Sequence, residues 1–575
     1  MTDTGRRIAR VARVNGSLVE IDDLGPVGLL DVVEIGSTRL AGEVVSIRDD
    51  RATAEVHEYT GGLAVGAPAR ALGRPLSAAL GPGLLGGVFD GLLRPLVNAD
   101  VFLQPGRIDE PDGRAWTFRP QVAPGARLGA GAVLGVVDEH TFEHRVLVPP
   151  EHGGELTWIA PAGEYTVHDR IAAIDGQEVR LASRWPVRRS RPFRRRLRHD
   201  EPLVSGQRVL DLLYPVAHGS TAAVPGGFGT GKTILLQQIA KWCDAEVIVY
   251  IGCGERGNEL ADVLEDLAGL TDPRSGAPLS HRTVLIANTS NMPVMARESS
   301  IYTGMTVAEY FRDMGNDVVV IADSTSRWAE AMREFSSRSG ELPAEEGYPA
   351  SLPSALAAFY ERSGRVETLG GSVGSVTVIA SVSPPGGDFT EPVTAQTQRF
   401  VRCFWTLDRD LAYARHYPAV SWHGSFTRDA DLLARWHVAH GDEQWPERRA
   451  RALALLAEAD RLESLVELVG ASALPDRERI VLLGARVLRE GVLQQSALSE
   501  NDAYCGPDKQ AALLQNALDV FDCCNRLLER GASAAAIEEA DLAALLRARD
   551  AVASDDGTGV RAIGATTVGQ LEELA

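Results

Sequence analysis

The stretch VPGGFGTGKTILLQQ, residues 224–238, limits the possible folds of this chain more than any other segment does. Four glycines fall within six consecutive positions, between an apolar run and a segment with helical spacing. Glycines let the backbone bend tightly and expose its N–H groups, and a helix that starts directly afterwards adds the positive end of its dipole. A strand, a glycine turn and a helix in this order predict a parallel α/β domain with an anion-binding loop.

The loop matches GxxxxGK[ST], in which backbone N–H groups surround phosphate oxygens. We predict that Lys232 reaches the β- and γ-phosphates of a nucleotide and acts in catalysis, and that the Thr233 hydroxyl ligates Mg²⁺. The predicted nucleotide-binding residues of this loop are Gly226, Gly227, Phe228, Gly229, Thr230, Gly231, Lys232 and Thr233.

Lysine is rare in this chain, and its presence in the loop is informative. Of 58 basic residues only Lys232, Lys241 and Lys509 are lysines. A guanidinium is a broad planar fork that would not fit the gap between two phosphates, whereas an ammonium is a compact point charge. The scarcity of lysine elsewhere therefore supports a specific role for Lys232.

Composition restricts the class of protein. At 575 residues the chain exceeds a single core, which predicts roughly three or four domains. A net charge of −20 argues against a nucleic-acid partner. No apolar run reaches bilayer-spanning length and the N-terminus lacks a signal peptide's apolar core, so we expect a cytoplasmic protein whose membrane link goes through partners. The six cysteines form no CxxC pair and predict buried, reduced thiols.

The pattern along the chain predicts a multidomain α/β protein. Short β-like runs with glycine turns come first, strands alternating with helices follow, and the last part shows only helical spacing. The predicted segments are an N-terminal β-barrel (1–75), the start of the nucleotide-binding domain (76–96), a β-rich insertion (97–190), the P-loop nucleotide-binding domain (191–430) and a C-terminal helical domain (431–575).

Two further motifs have simpler interpretations. HTFEH, residues 140–144, matches a zinc-protease pattern, but its flanks favour strands, on which the two histidines would be ~13 Å apart. We therefore expect no zinc site there. VRRSRPFRRRLRH, residues 187–199, is the densest basic run, and its prolines predict a solvated linker, with contact to an acidic partner as the alternative.

Two acidic residues stand where parallel strands should end. VVVIAD ends at Asp323, which fits a carboxylate that holds Mg²⁺ from the sheet, although a helix cap through Ser324 is an alternative. Glu255 follows the apolar run VIVYI and is our candidate for polarising the attacking water. Arg256 could touch the γ-phosphate, and Glu259 is a weaker rival of Glu255.

These residues also carry a resemblance to a known family. The chain resembles the catalytic A subunit of V-type, or archaeal/bacterial V/A-type, rotary ATPases nearly end to end, including a β-rich insertion that resembles the bulge domain of A subunits. The motifs concerned are PGGFGTGKT, GCGERGNE, NMPVMARESSIYTGMTVAEYFRDMG, ADSTSRWAEAMRE, PAEEGYPA, GGDFTEPVT, REGVLQQSALSENDAYC and GVFDGLLRPL.

The resemblance implies roles for individual residues. Glu255 falls at the position of the family's catalytic glutamate and Asp323 at that of its Walker-B acid. Tyr417, in HYPAVSW, falls where the family places an aromatic ring against adenine, although core packing is its alternative. Gly227 stands where the family often has proline, and no catalytic group is missing.

The resemblance also implies cofactors and partners. We expect ATP or ADP with Mg²⁺, an alternating hexamer with the B subunit, and an arginine finger supplied by that B subunit. Central rotor and peripheral stalk subunits would connect the ring to a membrane sector that moves protons or sodium ions. The chain would then lie on the cytoplasmic face of the membrane.

Two other function classes remain as alternatives. A non-catalytic B-type subunit would lack the P-loop lysine and the catalytic glutamate, both of which are present. The second alternative is a homohexameric motor. The insertion at 97–190 argues against a secretion-type ATPase, and the acidic net charge argues against an RNA translocase.

Overall fold

The computed structural model describes residues 9–49, 51–96, 106, 113–140, 142–272, 274–470 and 473–574. No helix in these ranges is long and apolar enough to cross a membrane. Packing divides the chain into two units. The first comprises Met1–Arg198, Ala245–Val382 and Thr390–Phe400, and the second His199–Asp244, Ser383–Phe389 and Val401–Ala575.

The first unit begins with a closed six-stranded barrel. Its strands are β1 (Ala9–Asn15), β2 (Leu18–Asp22), β3 (Asp31–Ile35), β4 (Leu40–Arg48), β5 (Arg51–Val56) and β6 (Pro68–Pro75). They run in the order β1-β2-β5-β4-β3-β6, and β1 pairs with β6 to close the barrel. Alternating apolar residues such as Val19, Ile21, Val33 and Ile35 fill the interior. The predicted N-terminal β-barrel is confirmed.

A β-rich insertion follows. The strands from the end of the barrel to the end of the insertion are β7 (Ser77–Leu80), β8 (Val88–Phe89), β9 (Ala115–Pro120), β10 (Arg127–Leu128), β11 (Val133–Glu139), β12 (Phe142–Leu147), β13 (Gly154–Ile159), β14 (Gly163–Thr166), β15 (Arg170–Ile174), β16 (Gln177–Arg180) and β17 (Ser183–Pro186). Of these, β7 and β8 precede the insertion. Two four-stranded sheets, β10-β13-β15-β16 and β12-β11-β9-β14, enclose a core that includes Trp116 and Phe118. The start of the predicted insertion, residues 97–105 and 107–112, lies outside the described residues.

Of the HTFEH motif, His140 directly follows β11, and Phe142, Glu143 and His144 lie on β12, as the strand-forming flanks predicted. His140, in the turn, stacks on His281 with ring centroids 4.2 Å apart. His144, on β12, is fully buried, with Nδ1 2.7 Å from Glu139 Oε2 and Nε2 2.8 Å from the Tyr310 hydroxyl. The two histidines therefore have separate partners.

The prediction of a solvated arginine-rich linker is wrong for part of that segment. Arg188 lies 2.9 Å from Glu43 and 2.7 Å from Glu298, and the Glu43 carboxylate is fully buried. Arg191 is 4% exposed and pairs with Asp313 at 2.7 Å. The density of arginine in the sequence could not show this, because the carboxylates come from the barrel and from a distant helix.

The α/β region comes next along the chain. Its elements are β18 (Arg195–Arg196), β19 (Pro202–Leu203), β20 (Val216–Ala217), β21 (Thr221–Pro225), α1 (Lys232–Trp242), β22 (Val247–Glu255), α2 (Gly257–Gly269), β23 (Thr283–Thr289), α3 (Val294–Asp313), β24 (Asp317–Asp323), α4 (Thr325–Ser339), α5 (Leu352–Tyr360), β25 (Gly364–Glu367), β26 (Val373–Val382), α6 (Pro392–Phe400), β27 (Cys403–Phe404), α7 (Arg409–Tyr413) and β28 (Phe426–Thr427).

In the first unit, β26, β24, β22, β23 and β8 lie side by side and all pair in parallel. Their apolar residues are buried on both faces, which accounts for continuous apolar runs such as DVVVIA. In the second unit, β21 pairs in parallel with β27, and β28 is antiparallel to β27. The predicted α/β fold is confirmed.

The rest of the second unit is helical, as predicted. Its helices are α8 (Ala430–Ala439), α9 (Trp445–Val469), α10 (Asp476–Leu488), α11 (Pro507–Glu529), α12 (Ala534–Glu538), α13 (Ala543–Ala551) and α14 (Gly557–Glu572). A π-helical turn, Arg489–Leu493, continues α10 and leads into an irregular segment. All six cysteines of the chain are buried reduced thiols, as their spacing predicted.

Candidate functional site

The glycine loop lies in the second unit, between the end of β21 at Pro225 and the start of α1 at Lys232. Gly229 and Gly231 have φ of +79° and +85°, which residues with a Cβ adopt only at a cost of about 1–2 kcal/mol. Gly231 precedes the first turn of α1, and no side chain caps that helix. The N–H groups of the first turn therefore face outward as donors for an anion.

Lys232 is held inside the bend of this loop. Its Nζ donates to the carbonyl of Gly226 at 2.7 Å and to that of Gly227 at 3.1 Å. Thr230 Oγ1 also donates to the Gly227 carbonyl, at 2.8 Å. The loop is thus braced from within by its own side chains, while Thr233 is exposed at the start of α1.

A cavity of about 750 Å³ adjoins the loop within the second unit. Most of its lining comes from four parts of the chain: the loop with the first turns of α1, the segment around Tyr417, the irregular segment Gln494–Leu498, and Arg549 with Asp550 at the end of α13. Gln207 and Leu407 complete it. A Cβ at Gly231 would lie 3.4 Å from the Tyr417 ring, so this ring is next to the loop. Tyr417 is 41% exposed and leaves a face available to a ligand. Phe228, at the tip of the loop, is 90% exposed.

Sequence reasoning missed several residues of this cavity. Arg415 and the segment Gln494–Leu498 line it, and Arg409 lies close to the loop, with its Nε 3.0 Å from where a Cβ at Gly227 would stand. The motif REGVLQQSALSENDAYC was an available signal, but nothing in its spacing indicates contact with a loop more than 250 residues earlier.

Glu255 lies in the first unit, at the carboxyl end of β22. The pairing of β22 with β23 shifts by one residue between Cys253 and Glu255, so Gly254 forms a bulge with φ of +72°. A bulge of this kind turns the following side chain away from its regular direction. A Cβ at Gly254 would lie 2.9 Å from Arg297 and 3.0 Å from Arg327, so only glycine fits there easily.

Asp323 lies at the end of the neighbouring strand β24, and Gly252 of β22 is its register partner. The side chain is 6% exposed. Ser381 Oγ donates to Asp323 Oδ1 at 2.5 Å, and the Tyr250 hydroxyl donates to Oδ2 at 3.3 Å. The structure thus brings Asp323 and Glu255 to the same edge of the parallel sheet. Ser324, rather than Asp323, caps α4 by accepting from the Arg327 N–H.

The electrostatics of Glu255 are unusual. Burial, the negative charge of Asp323 and a hydrogen bond with Glu259 together raise the pKa of Glu255 to about 8, and Arg327 only partly opposes this. Glu259 lies in the first turn of α2, and Arg256, just before that helix, is exposed. A group with such a pKa at a strand end is typical of functional sites.

The donor set suits a hard divalent cation. Asp323 offers a carboxylate and Thr233 an exposed hydroxyl, and Mg²⁺ prefers oxygen ligands of these kinds, supplemented by water and substrate phosphates. Neither nitrogen nor sulfur ligands are needed for such a site. Each of these side chains, taken by itself, offers the kind of oxygen ligand that Mg²⁺ prefers.

Family models match most of the chain. Residues 206–427 match the nucleotide-binding domain of the ATP synthase alpha/beta family, and residues 434–536 match the C-terminal domain of V and A type ATP synthases. Residues 11–73 match the beta-barrel domain of the alpha/beta family, and residues 111–188 match the alpha/beta subunit barrel-sandwich domain.

Curated relatives match at high identity. The V-type ATP synthase alpha chain of Nitrosococcus oceani is 50% identical over 547 residues, which cover 91% of each chain. The A subunit of the A-type ATP synthase of Methanopyrus kandleri is 50% identical over 535 residues, covering 91% of this chain and 90% of that one. Among solved structures, the ATPase EscN of the enteropathogenic E. coli type III secretion system has a TM-score of 0.64 at 22% identity, covering 89% of this chain and 100% of that chain. That last likeness concerns the fold alone.

Proposed function

The chain belongs to the family of V-type and A-type ATP synthase A subunits, and from this premise we propose how its own residues bind and cleave ATP. As a member of that family it is a catalytic subunit of a rotary ATPase or ATP synthase and binds ATP or ADP. It works as part of a multisubunit, membrane-associated complex.

One observation carries the proposal for nucleotide binding. The glycine loop that holds Lys232 adjoins the 750 Å³ cavity, and the exposed Tyr417 ring lines the same cavity. The residues Gly226 to Thr233 would take the phosphates, and Tyr417 would stack on the base, an interaction worth about 1–3 kcal/mol. When phosphates arrive, Lys232 exchanges the carbonyls of Gly226 and Gly227 for phosphate oxygens.

Mg²⁺ would be held by the Thr233 hydroxyl and, through water, by the Asp323 carboxylate. When bound, it neutralises charge on the β- and γ-phosphates and so favours their cleavage. Tyr250 and Ser381 orient the Asp323 carboxylate by donating to its two oxygens. Asp323 therefore stays ordered without the ion.

Glu255 would orient and polarise the attacking water. The water oxygen forms a bond to the γ-phosphorus as the bond to the bridging oxygen breaks, and ADP leaves with the bonding electron pair. The ionised Glu255 carboxylate accepts a hydrogen bond from the attacking water and takes up its proton. For this role the carboxyl must be ionised, whereas its pKa near 8 keeps it mainly protonated at neutral pH in the free chain. MgATP carries net negative charge, so the positive charge that would lower this pKa is that of Mg²⁺ and of the arginine finger of the B subunit.

The resemblance of the chain to A subunits supports a set of partners. A B subunit would alternate with this chain in a hexamer and supply an arginine finger, which is worth about 10³–10⁵ in rate. Arg256 would contact the γ-phosphate from this chain. The helical C-terminal domain would push the central rotor, with peripheral stalk subunits and a membrane sector completing the complex on the cytoplasmic face. The net charge of −20 supports the absence of a nucleic-acid partner.

The test is reconstitution with a B subunit, comparing wild type with Glu255→Gln and with the matched control Glu259→Gln. We expect Glu255→Gln to bind ATP normally and lose at least ~10² in hydrolysis rate, because it removes the group that polarises water. Glu259→Gln should retain most of the rate. Hydrolysis that survives Glu255→Gln with ATP still bound would overturn the catalytic assignment, and a fully active homohexamer without a B subunit would overturn the proposed hexamer.

A further inference from the structure

We propose that a buried ion network, Arg208–Asp502–Arg549 closed by Lys509, positions one wall of the nucleotide cavity and thereby sets the affinity for the nucleoside part of ATP. The inference rests on the proposed function of that cavity. It assigns a role to charged residues that the catalytic scheme does not use. All of them belong to the second unit.

The wall concerned is the segment Gln494–Leu498, which lines the cavity and has no regular secondary structure. Leu498 is 99% exposed, so the wall carries an apolar side chain that is free to cover a ligand. A segment without helix or strand hydrogen bonds needs other contacts to hold one conformation. The residues that supply those contacts therefore determine the conformation of the wall.

Gln495 connects the wall to the rest of the cavity. Its backbone N–H donates to the Tyr417 carbonyl at 2.8 Å, and its Nε2 donates to the Gly206 carbonyl at 2.8 Å. Its Oε1 accepts from the Arg208 backbone N–H at 2.9 Å. A direct hydrogen bond thus joins the wall to the backbone of Tyr417, the residue whose ring would stack on the base.

Arg208 and Asp502 are both fully buried, and both form hydrogen bonds with the backbone of the wall. Arg208 Nη2 donates to the Gln494 carbonyl at 2.6 Å, and its Nη1 lies 2.6 Å from Asp502 Oδ1. Asp502 Oδ2 accepts from the Ser496 N–H at 2.7 Å and from Arg549 Nη1 at 2.7 Å. One carboxylate therefore joins two guanidinium groups and the backbone of the wall.

Lys509 completes the network, which gives a role to a second of the chain's three lysines. Its buried ammonium donates to the carbonyls of Asn501, Arg549 and Val552, at 2.8, 2.7 and 2.9 Å. Two of these carbonyls are at the C-terminal end of α13, where the helix dipole favours a cation. Three converging carbonyls suit the three hydrogens of an ammonium and not the planar fork of arginine. Lys509 thus fixes the backbone next to Asp502 and at Arg549.

These residues are positioning residues, because they act on the ligand through the wall. The experiment measures binding of MgATP and of Mg-tripolyphosphate, which lacks a nucleoside, to the full chain by calorimetry. The variants are Asp502→Asn and Lys509→Arg. The matched controls are Asp429→Asn, which removes a buried carboxylate that pairs with Arg402 away from the cavity, and Lys241→Arg.

We expect Asp502→Asn and Lys509→Arg to weaken ATP binding about tenfold, equivalent to ~1.4 kcal/mol, and to leave tripolyphosphate binding unchanged. A general loss of stability would weaken the binding of both ligands, and the control variants would show the same loss. If Asp502→Asn does not fold, Lys509→Arg decides the matter, since it keeps every charge. Equal Kd values for ATP in wild type and variants would overturn the inference. ATP binding by wild type that does not depend on Lys232 would instead overturn the proposed function.

Discussion

The hydroxyl of Tyr250 lies 3.3 Å from Oδ2 of Asp323, and both side chains are buried at the edge of the parallel sheet. With Ser381 on Oδ1, the carboxylate is held at both oxygens. Tyr250→Phe removes one hydrogen bond at nearly constant volume. We expect the Mg²⁺ concentration for half-maximal hydrolysis to rise about fivefold, the equivalent of ~1 kcal/mol for one hydrogen bond.

Titration of hydrolysis against Mg²⁺ in the reconstituted complex measures this effect. Tyr310→Phe is the control, because it also removes a buried hydroxyl, one that faces His144. Its Mg²⁺ dependence should match that of wild type. An unchanged Mg²⁺ dependence in Tyr250→Phe would exclude a positioning role for the hydroxyl.

The raised pKa of Glu255 predicts how stability depends on pH. The folded chain holds a proton on this carboxyl up to about pH 8, while the unfolded chain loses it near its ordinary value of 4.5. Folding is therefore penalised increasingly as pH rises from 4.5 to 8, with a slope of at most ~1.4 kcal/mol per pH unit. Glu255→Gln lacks this penalty.

Urea unfolding of wild type and Glu255→Gln at pH 5.5, 7 and 8.5 tests this expectation. The variant should gain stability relative to wild type as the pH rises. Parallel curves across this range would show that Glu255 titrates at its ordinary pKa.

Lys232→Arg tests whether the loop requires an ammonium. The guanidinium keeps the charge but does not fit between the Gly226 and Gly227 carbonyls, which Nζ now reaches at 2.7 and 3.1 Å. We expect ATP and tripolyphosphate to bind at least ~10-fold more weakly, a loss of ~1.4 kcal/mol or more. Lys241→Arg, at the far end of the same helix, should bind both ligands as wild type does, and comparable losses in the two variants would argue against a specific role.

Tyr417→Ala and Tyr417→Phe separate the ring from its hydroxyl. Stacking needs only the ring, so alanine should lose about 1–3 kcal/mol of ATP binding while phenylalanine loses little. Calorimetry with ATP and tripolyphosphate measures this, and the phosphate ligand should bind all three proteins alike. Similar ATP affinity in wild type and Tyr417→Ala would assign the ring to packing alone.

Arg188→Gln should destabilise the first unit. Burial acts to raise the pKa of Glu43, but the Arg188 guanidinium and a hydrogen bond with His57 outweigh it and hold that pKa at about 2. Glu43 therefore stabilises the fold above its unfolded value of 4.5, and this contribution is lost as the pH falls towards 2. Removing the guanidinium that pairs with the Glu43 and Glu298 carboxylates should cost ~3–5 kcal/mol near neutral pH.

Thermal unfolding at pH 7 and pH 4 tests the effect of Arg188→Gln, whose deficit should shrink at the lower pH. Arg195→Gln is the control from the same arginine-rich segment, since Arg195 is 71% exposed where it pairs with Glu367. Its unfolding temperature should match that of wild type. A similar result for Arg188→Gln would show that its ion pairs do not stabilise the fold.

Much of the architecture could be predicted because it depends on local spacing. Neighbours in the sequence suffice to predict the alternation of buried residues in β2 and the apolar run that becomes β24. They also suffice to predict the helical spacing of apolar residues in α9 and α11. The strand ends carrying Glu255 and Asp323 were found for the same reason. The arginine-rich segment was misjudged, because its partners Glu43 and Glu298 are more than 100 residues away.

The sequence by itself determined that the chain has a glycine loop between a strand and a helix, and it predicts that the rare lysine of this loop meets phosphates. That conclusion needs only backbone sterics and the shape of an ammonium. Only the tertiary structure decided that Arg208 reaches Gln495, 287 residues later, and that Lys509 holds the end of α13. Buried charges need partners with satisfied geometry, and the packing of distant segments, rather than their local spacing, brings those partners together.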